Sequence, residues 1–201
     1  GNVRRPGWEA NISCTTAPPS TGNDCGTALP FCTGTSYTFP NNTNQPDLGP
    51  IDCLTSTPNP VWYYMQIQNP GNLNINISQS DAFGFGIDVD FDLWGPFNTL
   101  SDGCVAIANG TATSVDCSFS PAFVEQANIV GATTGQFYIL LLTNFSNEPG
   151  TISFNSASGS TATTNCGLLC NITDVTANPS ACVPATNTYS VTGQVIVANP
   201  P

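Results

Sequence analysis

The chain has 201 residues and is 40% apolar, enough to bury the core of one large β-sandwich, or of one sandwich with part of a neighbour, and too apolar to be disordered. Its net charge of −11 comes from thirteen acidic residues against Arg4 and Arg5, with no Lys and no His. That balance excludes a nucleic-acid partner, which needs a basic stripe, and an anionic membrane surface would repel the chain.

Residues 1–24 read as an extended N-terminal lead-in, because Pro18-Pro19-Ser20-Thr21-Gly22 is linker chemistry. No charged-then-apolar leader follows Gly1, so a signal peptide is expected to have been removed. No run reaches the roughly 18 apolar residues of a membrane span, so direct membrane insertion is not expected. Residues 25–166 read as one β domain. A short strand over 36–39 ends at Pro40, and a proline-rich loop fills 40–60. Residues 61–67 form an aromatic-rich strand. In 72–77, Leu73, Ile75 and Ile77 alternate with three Asn, the pattern of a half-buried antiparallel strand. In 87–93, Ile87, Val89, Phe91 and Leu93 share one face and Asp88, Asp90 and Asp92 the other. Residues 105–108 and 115–119 suggest a hairpin around Asn109–Ala112. Residues 137–143 are apolar on both faces, which predicts a strand central in its sheet. Residues 151–155 close the domain, and 156–165 read as a Ser/Thr/Gly linker. A tail over 167–201 holds one strand pattern, with Tyr189, Val191, Val195 and Val197 on one face. The fold expected is an all-β, disulfide-stapled antiparallel sandwich of jelly-roll type.

Nine cysteines point to an oxidising compartment, and hence to a secreted or cell-surface protein. Zinc would need C-x-x-C pairs or Cys with His, and neither is present. Spacing suggests Cys25–Cys166 bracketing the sandwich, Cys32–Cys53 closing the proline loop, Cys104–Cys117 across the hairpin and Cys170–Cys182 in the tail, with Cys14 left over. Spacing alone does not fix connectivity.

The aspartate ladder places three carboxylates on one strand face with no cation nearby in sequence. A calcium ion would relieve their repulsion, using two of them plus loop oxygens, with Asp102 as a further ligand. The segment is not an EF-hand, since Leu93 stands where that loop needs Gly and no Glu follows at its twelfth position. The plainer reading is a hydrogen-bonded polar face. Trp62, Tyr63, Tyr64, Trp94, Phe97 and Phe137 are suited to stacking on sugar rings, but as strand residues they read better as core. Six N-x-Ser/Thr sequons begin at Asn11, Asn41, Asn76, Asn109, Asn144 and Asn171, several of which chance alone produces in so Asn- and Thr-rich a chain. Without His or Lys, the Ser-His-Asp and Cys-His arrangements and lysine nucleophiles are ruled out, and no catalytic residue is assigned.

Five stretches carry a resemblance: Asn23-Asp24-Cys25-Gly26-Thr27-Ala28-Leu29-Pro30-Phe31-Cys32, Pro60-Val61-Trp62-Tyr63-Tyr64-Met65, Asp88 through Phe97, Val115-Asp116-Cys117-Ser118-Phe119-Ser120, and Gly135 through Ser146. Together, over about residues 23–170, they resemble N-terminal modules of very large secreted surface proteins of Bacteroidota, typically cargo of the type IX secretion system. The D-x-D strand followed by a G-x-F-Y-I strand is more distantly similar to bacterial pre-peptidase C-terminal domains, which implies a jelly roll and often calcium. The resemblance implies an adhesin, gliding or filament role without catalysis. The leading reading is therefore a structural or adhesive surface module. Self-association or neighbouring domains of a larger surface protein are its expected partners, and the tail strand would join copies by β-strand addition. The alternative is a carbohydrate-binding module with a glycan partner, which requires Trp62 or Trp94 at the surface.

Overall fold

The computed structural model describes residues 22–166 with their side chains, and residues 171–179 and 191–198 for their backbone pairing. The chain divides into two compact units, Pro18–Leu169 and a second formed by Gly1–Ala17 with Cys170–Pro201. In chain order, the first unit holds a 3-10 turn (Cys25–Thr27) and strands β1 (Leu29–Pro30), β2 (Tyr37–Pro40), β3 (Pro60–Asn69), β4 (Gly71–Asp81) and β5 (Val89–Phe97). Helix α1 (Leu100–Ala108) follows, then β6 (Ser114–Ser118), β7 (Val124–Ala132), β8 (Phe137–Asn144), β9 (Gly150–Ser156) and β10 (Thr163–Thr164). The second unit holds β11 (Asn171–Pro179) and β12 (Val191–Ala198).

The larger sheet runs β1-β3-β8-β5-β6, with β10 also on β3, and the smaller runs β2-β9-β4-β7. All pairs are antiparallel except β1 on β3. The alternation read in the sequence aims the apolar residues inward. Tyr63, Leu140 and Phe91 of the larger sheet meet Ile75, Ile77 and Phe154 of the smaller in one core cluster. The all-β sandwich is thus the observed fold. Strand β8, apolar on both faces, lies between β3 and β5 as its sequence implied.

The second face of the larger sheet is buried too. Trp62, Leu141, Ile139 and Trp94 lie there beneath α1 and residues 51–54. The two indoles stack with centroids 5.8 Å apart, a contact worth about 0.5–1.5 kcal/mol beyond its burial. A hairpin strand was expected over 105–108, but the chain is helical there. Thr99 caps α1, its hydroxyl accepting the Asp102 N–H at 3.0 Å, and Leu100, Cys104 and Ile107 face the sheet. Those three recur at the helical period, which a four-residue window does not reveal.

The helix changes the disulfides. Cys104 bonds Cys25, tying α1 to the 3-10 turn, and Cys53 bonds Cys117, tying the 51–54 turn to β6. The expected Cys25–Cys166, Cys32–Cys53 and Cys104–Cys117 bonds are absent, because the cover layer brings together cysteines distant in sequence: one bond lies within the cover and the other ties it to β6. Cys32 and Cys166 are thiols. Cys14 and the expected Cys170–Cys182 bond lie outside the described residues.

Two other expectations change, and one strand, β7, was not foreseen. Residues 156–165 are not a linker: Asn72 N–H donates to Thr161 Oγ1 at 2.9 Å, Ala162 is buried, and β10 pairs with β3. Strand β7 carries a weak signal, since the inward positions Glu125 and Ala127 are charged and small. The tail holds two strands rather than one: β12 pairs antiparallel with β11, Val195 opposite Val175 and Val197 opposite Ile172. Val191 stands opposite Pro179, while Tyr189, like residues 1–21, lies outside the described residues.

Candidate functional site

Two loops meet at one end of the sandwich. The β4–β5 connection is shaped by Asp81, whose Oδ1 accepts the N–H groups of Phe83 and Phe85, both at 2.8 Å. This is the local side-chain-to-backbone bonding that Asp supplies in turns. The β6–β7 connection lies beside it: Gln79 N–H donates to Phe123 O at 2.9 Å, and Val89 N–H to Ala122 O at 3.3 Å. Gly86 permits this approach, because a Cβ there would strike the Phe123 ring. The loops hold Phe83, Phe85, Phe119 and Phe123 outward, with 87%, 72%, 68% and 53% of their surface exposed.

At the base of these loops lie Asp88, Asp90 at the start of β5, and Glu125 at the start of β7. Asp90 is only 4% exposed. Its Oδ1, Asp88 Oδ1 and Glu125 Oε1 are each buried without a hydrogen-bond donor, as is Oγ1 of Thr143, which stands directly opposite Asp90. Burial, reinforced by the charges of Asp88 and Glu125, pushes the Asp90 carboxyl up to about 7. Burial also raises Asp88. Buried oxygens without donors, in a protein with no Lys or His, fit a hard cation.

The other two predicted ligands lie apart from this cluster. Asp92 is wholly buried in the row formed by Trp62, Leu141 and Cys117. Its Oδ1 accepts the Ser114 hydroxyl at 2.6 Å. Burial pushes its carboxyl up to about 7, against the pull of the Ser114 bond. Asp102 is exposed on the first turn of α1. Among the described residues, one trio of ligand-type side chains converges within 4.8 Å, Cys53, Asp92 and Cys117. Its two sulfurs are bonded to each other, so it offers no thiolate.

Trp62 and Trp94 are core residues, 3% and 1% exposed, so neither forms a sugar platform. Among the described residues, the exposed aromatics include instead the four phenylalanines, with Phe145 exposed as well. Sequence reading passed over them and Glu125, although Phe83-Gly84-Phe85-Gly86 sets two large apolar residues among turn glycines, where no strand can bury them.

No family model matches the chain, and no curated protein matches it. Among solved structures, it is similar to the pre-peptidase C-terminal domain of a collagenase from Bacillus anthracis, with a TM-score of 0.41 and 12% identity over 71% of this chain and 100% of that one. It is also similar to a mitogen from Yersinia pseudotuberculosis, with a TM-score of 0.38 and 12% identity over 66% of this chain and 95% of that one. Among the described residues, no helix is long and apolar enough to cross a membrane.

Proposed function

We propose that this chain is a non-catalytic module of a secreted surface protein, of the Bacteroidota type IX cargo kind that its motifs resemble, and that it adheres through its phenylalanine-bearing end. The observation that carries this reading is the set of four exposed phenylalanines on two loops of the sandwich, one hydrogen-bonded to the flanking strands β4 and β5 and the other packed against it at Gly86. Clustered apolar surface of this kind marks an interaction site, whereas singly scattered apolar residues need no explanation. The loops are fixed by backbone bonds, so little ordering entropy is lost on contact. The non-catalytic reading is supported by the placement of Asp90 and Asp92, which are buried on one strand and do not face each other across a cleft.

Calcium belongs to the same proposal. Asp88, Asp90 and Glu125 are the residues that would hold it, two of them with loop carbonyls and water completing the oxygen shell. The ion would cancel the carboxylate repulsion beneath the loops and stiffen the contact end. Asp92 and Asp102 take no part.

Immunolabelling intact producing cells tests the surface location, and the retention of protein-coated beads on a cell layer under flow tests the adhesion. We expect labelling without permeabilisation and at least a several-fold loss of bead retention for Phe83→Ser/Phe85→Ser. Labelling only after permeabilisation, or equal retention by that variant, would overturn the reading. For calcium, the melting temperature of chelated protein should rise on adding Ca²⁺ and should not rise for Asp90→Asn. An equal response in both removes the ion from this site.

The tail belongs to the proposal as an assembly device. The β11–β12 pair forms a sheet of two strands, and among the described residues neither outer edge is paired. A two-stranded ribbon of this kind gains by joining another sheet, and addition to a neighbouring copy would propagate as a filament.

A further inference from the structure

The last residues of the sandwich return to its first loop. Thr33 N–H donates to Thr164 Oγ1 at 2.9 Å, and Thr164 N–H donates back to Thr33 Oγ1 at 3.0 Å. This reciprocal pair brings the residue before Thr33 and the residue two past Thr164 together, and both are cysteines. Cys166 Sγ folds back toward Thr164, 3.6 Å from its carbonyl and 3.8 Å from its hydroxyl. Cys32 is fixed from the other side: its N–H donates to the Tyr37 hydroxyl at 2.8 Å, which donates onward to Pro30 O at 3.3 Å. The Cys166 side chain is close enough to Cys32 to bear on its ionisation. Cys32 is 2% exposed and Cys166 half-buried.

We propose that Cys32 and Cys166 are joined by a disulfide in the oxidised protein, and that this bond makes the sandwich inextensible along the chain. The geometry suits a structural bond more than a reactive thiol. Burial and the neighbouring Cys166 thiol push Cys32 up to about 12, so it holds its proton in the reduced state. The bond forms by exchange with a disulfide oxidant, either a small-molecule disulfide or an oxidoreductase. The accessible Cys166, as thiolate, attacks the oxidant and releases one thiolate of it. Cys32 then loses its proton, attacks Cys166 Sγ and expels the second. Two protons and two electrons leave the protein, and the oxidant's disulfide becomes two thiols.

The mechanical consequence follows from the covalent path. With only Cys25–Cys104 and Cys53–Cys117 closed, tension passes from Cys25 to Cys104 and then along the chain to residue 166. Unfolding would release that stretch, on the order of 200 Å at about 3.3–3.6 Å per residue. With Cys32 bonded to Cys166, tension bypasses strands β2–β10 altogether, and the stretch from 25 to 32 yields only on the order of 25 Å.

The test uses the full chain, folded in a glutathione redox buffer, then denatured with iodoacetamide and digested without reduction. Mass spectrometry should find the Cys32 and Cys166 peptides linked to each other. Alkylation of both residues, or a link from either to another cysteine, would overturn the proposal. Single-molecule extension supplies the second readout. The oxidised native chain should show no sandwich-sized step, whereas Cys166→Ser, half-buried and tolerant of a hydroxyl, should add on the order of 200 Å. A step of that size in the native chain would likewise refute it.

Discussion

Asp92 is a carboxylate whose surroundings favour its neutral form. On its face of β5 it is flanked by Leu141 and Cys117, with Trp62 one strand further along the same row. Asp52 adds like charge, and only the Ser114 hydroxyl and nearby backbone N–H groups oppose the cost of burial. Asp90 is raised in the same way. The native state therefore keeps protons that the unfolded chain, titrating near 3.8, has released. A raised native pKa gives stability that is complete below the unfolded value and lost as pH climbs through the native one. Chelated protein should accordingly melt at a lower temperature at pH 8 than at pH 4.5, with most of the fall between about 4 and 7. Asp92→Asn should match the parent at pH 4.5 and exceed it at pH 8; equal melting temperatures at pH 8 would show that Asp92 is solvated. Asn144 shows how burial also changes the reading of a sequon. Its side chain donates to Asn42 O and Glu148 O and accepts from Gln79, so in the folded protein it is a structural cross-brace and not a surface acceptor.

At the scale of elements, what was legible in the sequence was whatever alternation writes directly. Leu73-Ile75-Ile77 and Val89-Phe91-Leu93 each announced a strand and its inward face, and the doubly apolar 137–143 announced a central one. What stayed hidden depends on tertiary partners. Helix α1 is short and takes its place from packing on Ile139 and Leu141, so its sequence reads locally as another strand. Strand β7 hides because its inward face starts with Glu125, and β10 because its two threonines, Thr163 held by Asn69 and Thr164 by Thr33, carry no apolar signal. The candidate site was half legible: the aspartate ladder was visible with Phe83 and Phe85 beside it in the chain, but Glu125, more than thirty positions away, is brought to it only by the pairing of β4 with β7. Cysteine connectivity was not legible, since spacing says nothing about which residues form the cover. The observed bonds close loops of 79 and 64 residues, and chain entropy assigns each about 4 kcal/mol. Cys53→Ser/Cys117→Ser should therefore lose about 4 kcal/mol in denaturant unfolding while β3, β4 and β8 keep their amide protection. A loss below about 1 kcal/mol would mean that the 51–54 turn is held by packing alone.

At the scale of the whole molecule, the larger sheet is sealed on one side by the smaller sheet and on the other by the stapled cover, so contact with other molecules falls to its ends and edges. The four phenylalanines occupy one end. At the edges, β1 and β6 end the larger sheet and β2 and β7 the smaller without a single lysine, the residue most often used to discourage strand addition. β2 is short and ends at Pro40, which limits what adds there, whereas β6 pairs with one strand only, β5, and its Asp116 carboxylate accepts the Asn128 N–H of β7 at 2.7 Å. In the second unit, β12 is paired over its whole length with β11. A donor would thus be the β11–β12 ribbon, presenting an outer edge, rather than a lone strand inserted into a gap. Ribbon addition extends the acceptor sheet without displacing any of its strands, so assembly should be reversible and concentration-dependent rather than locked. Removing residues 170–201 leaves the sandwich unit intact, because that unit packs its own core. Sedimentation velocity over a hundredfold concentration range should then show the full chain growing into larger species and the deleted chain staying monomeric. Growth of both chains alike would place the connector within the sandwich, and a full chain that stays monomeric throughout would end the filament reading.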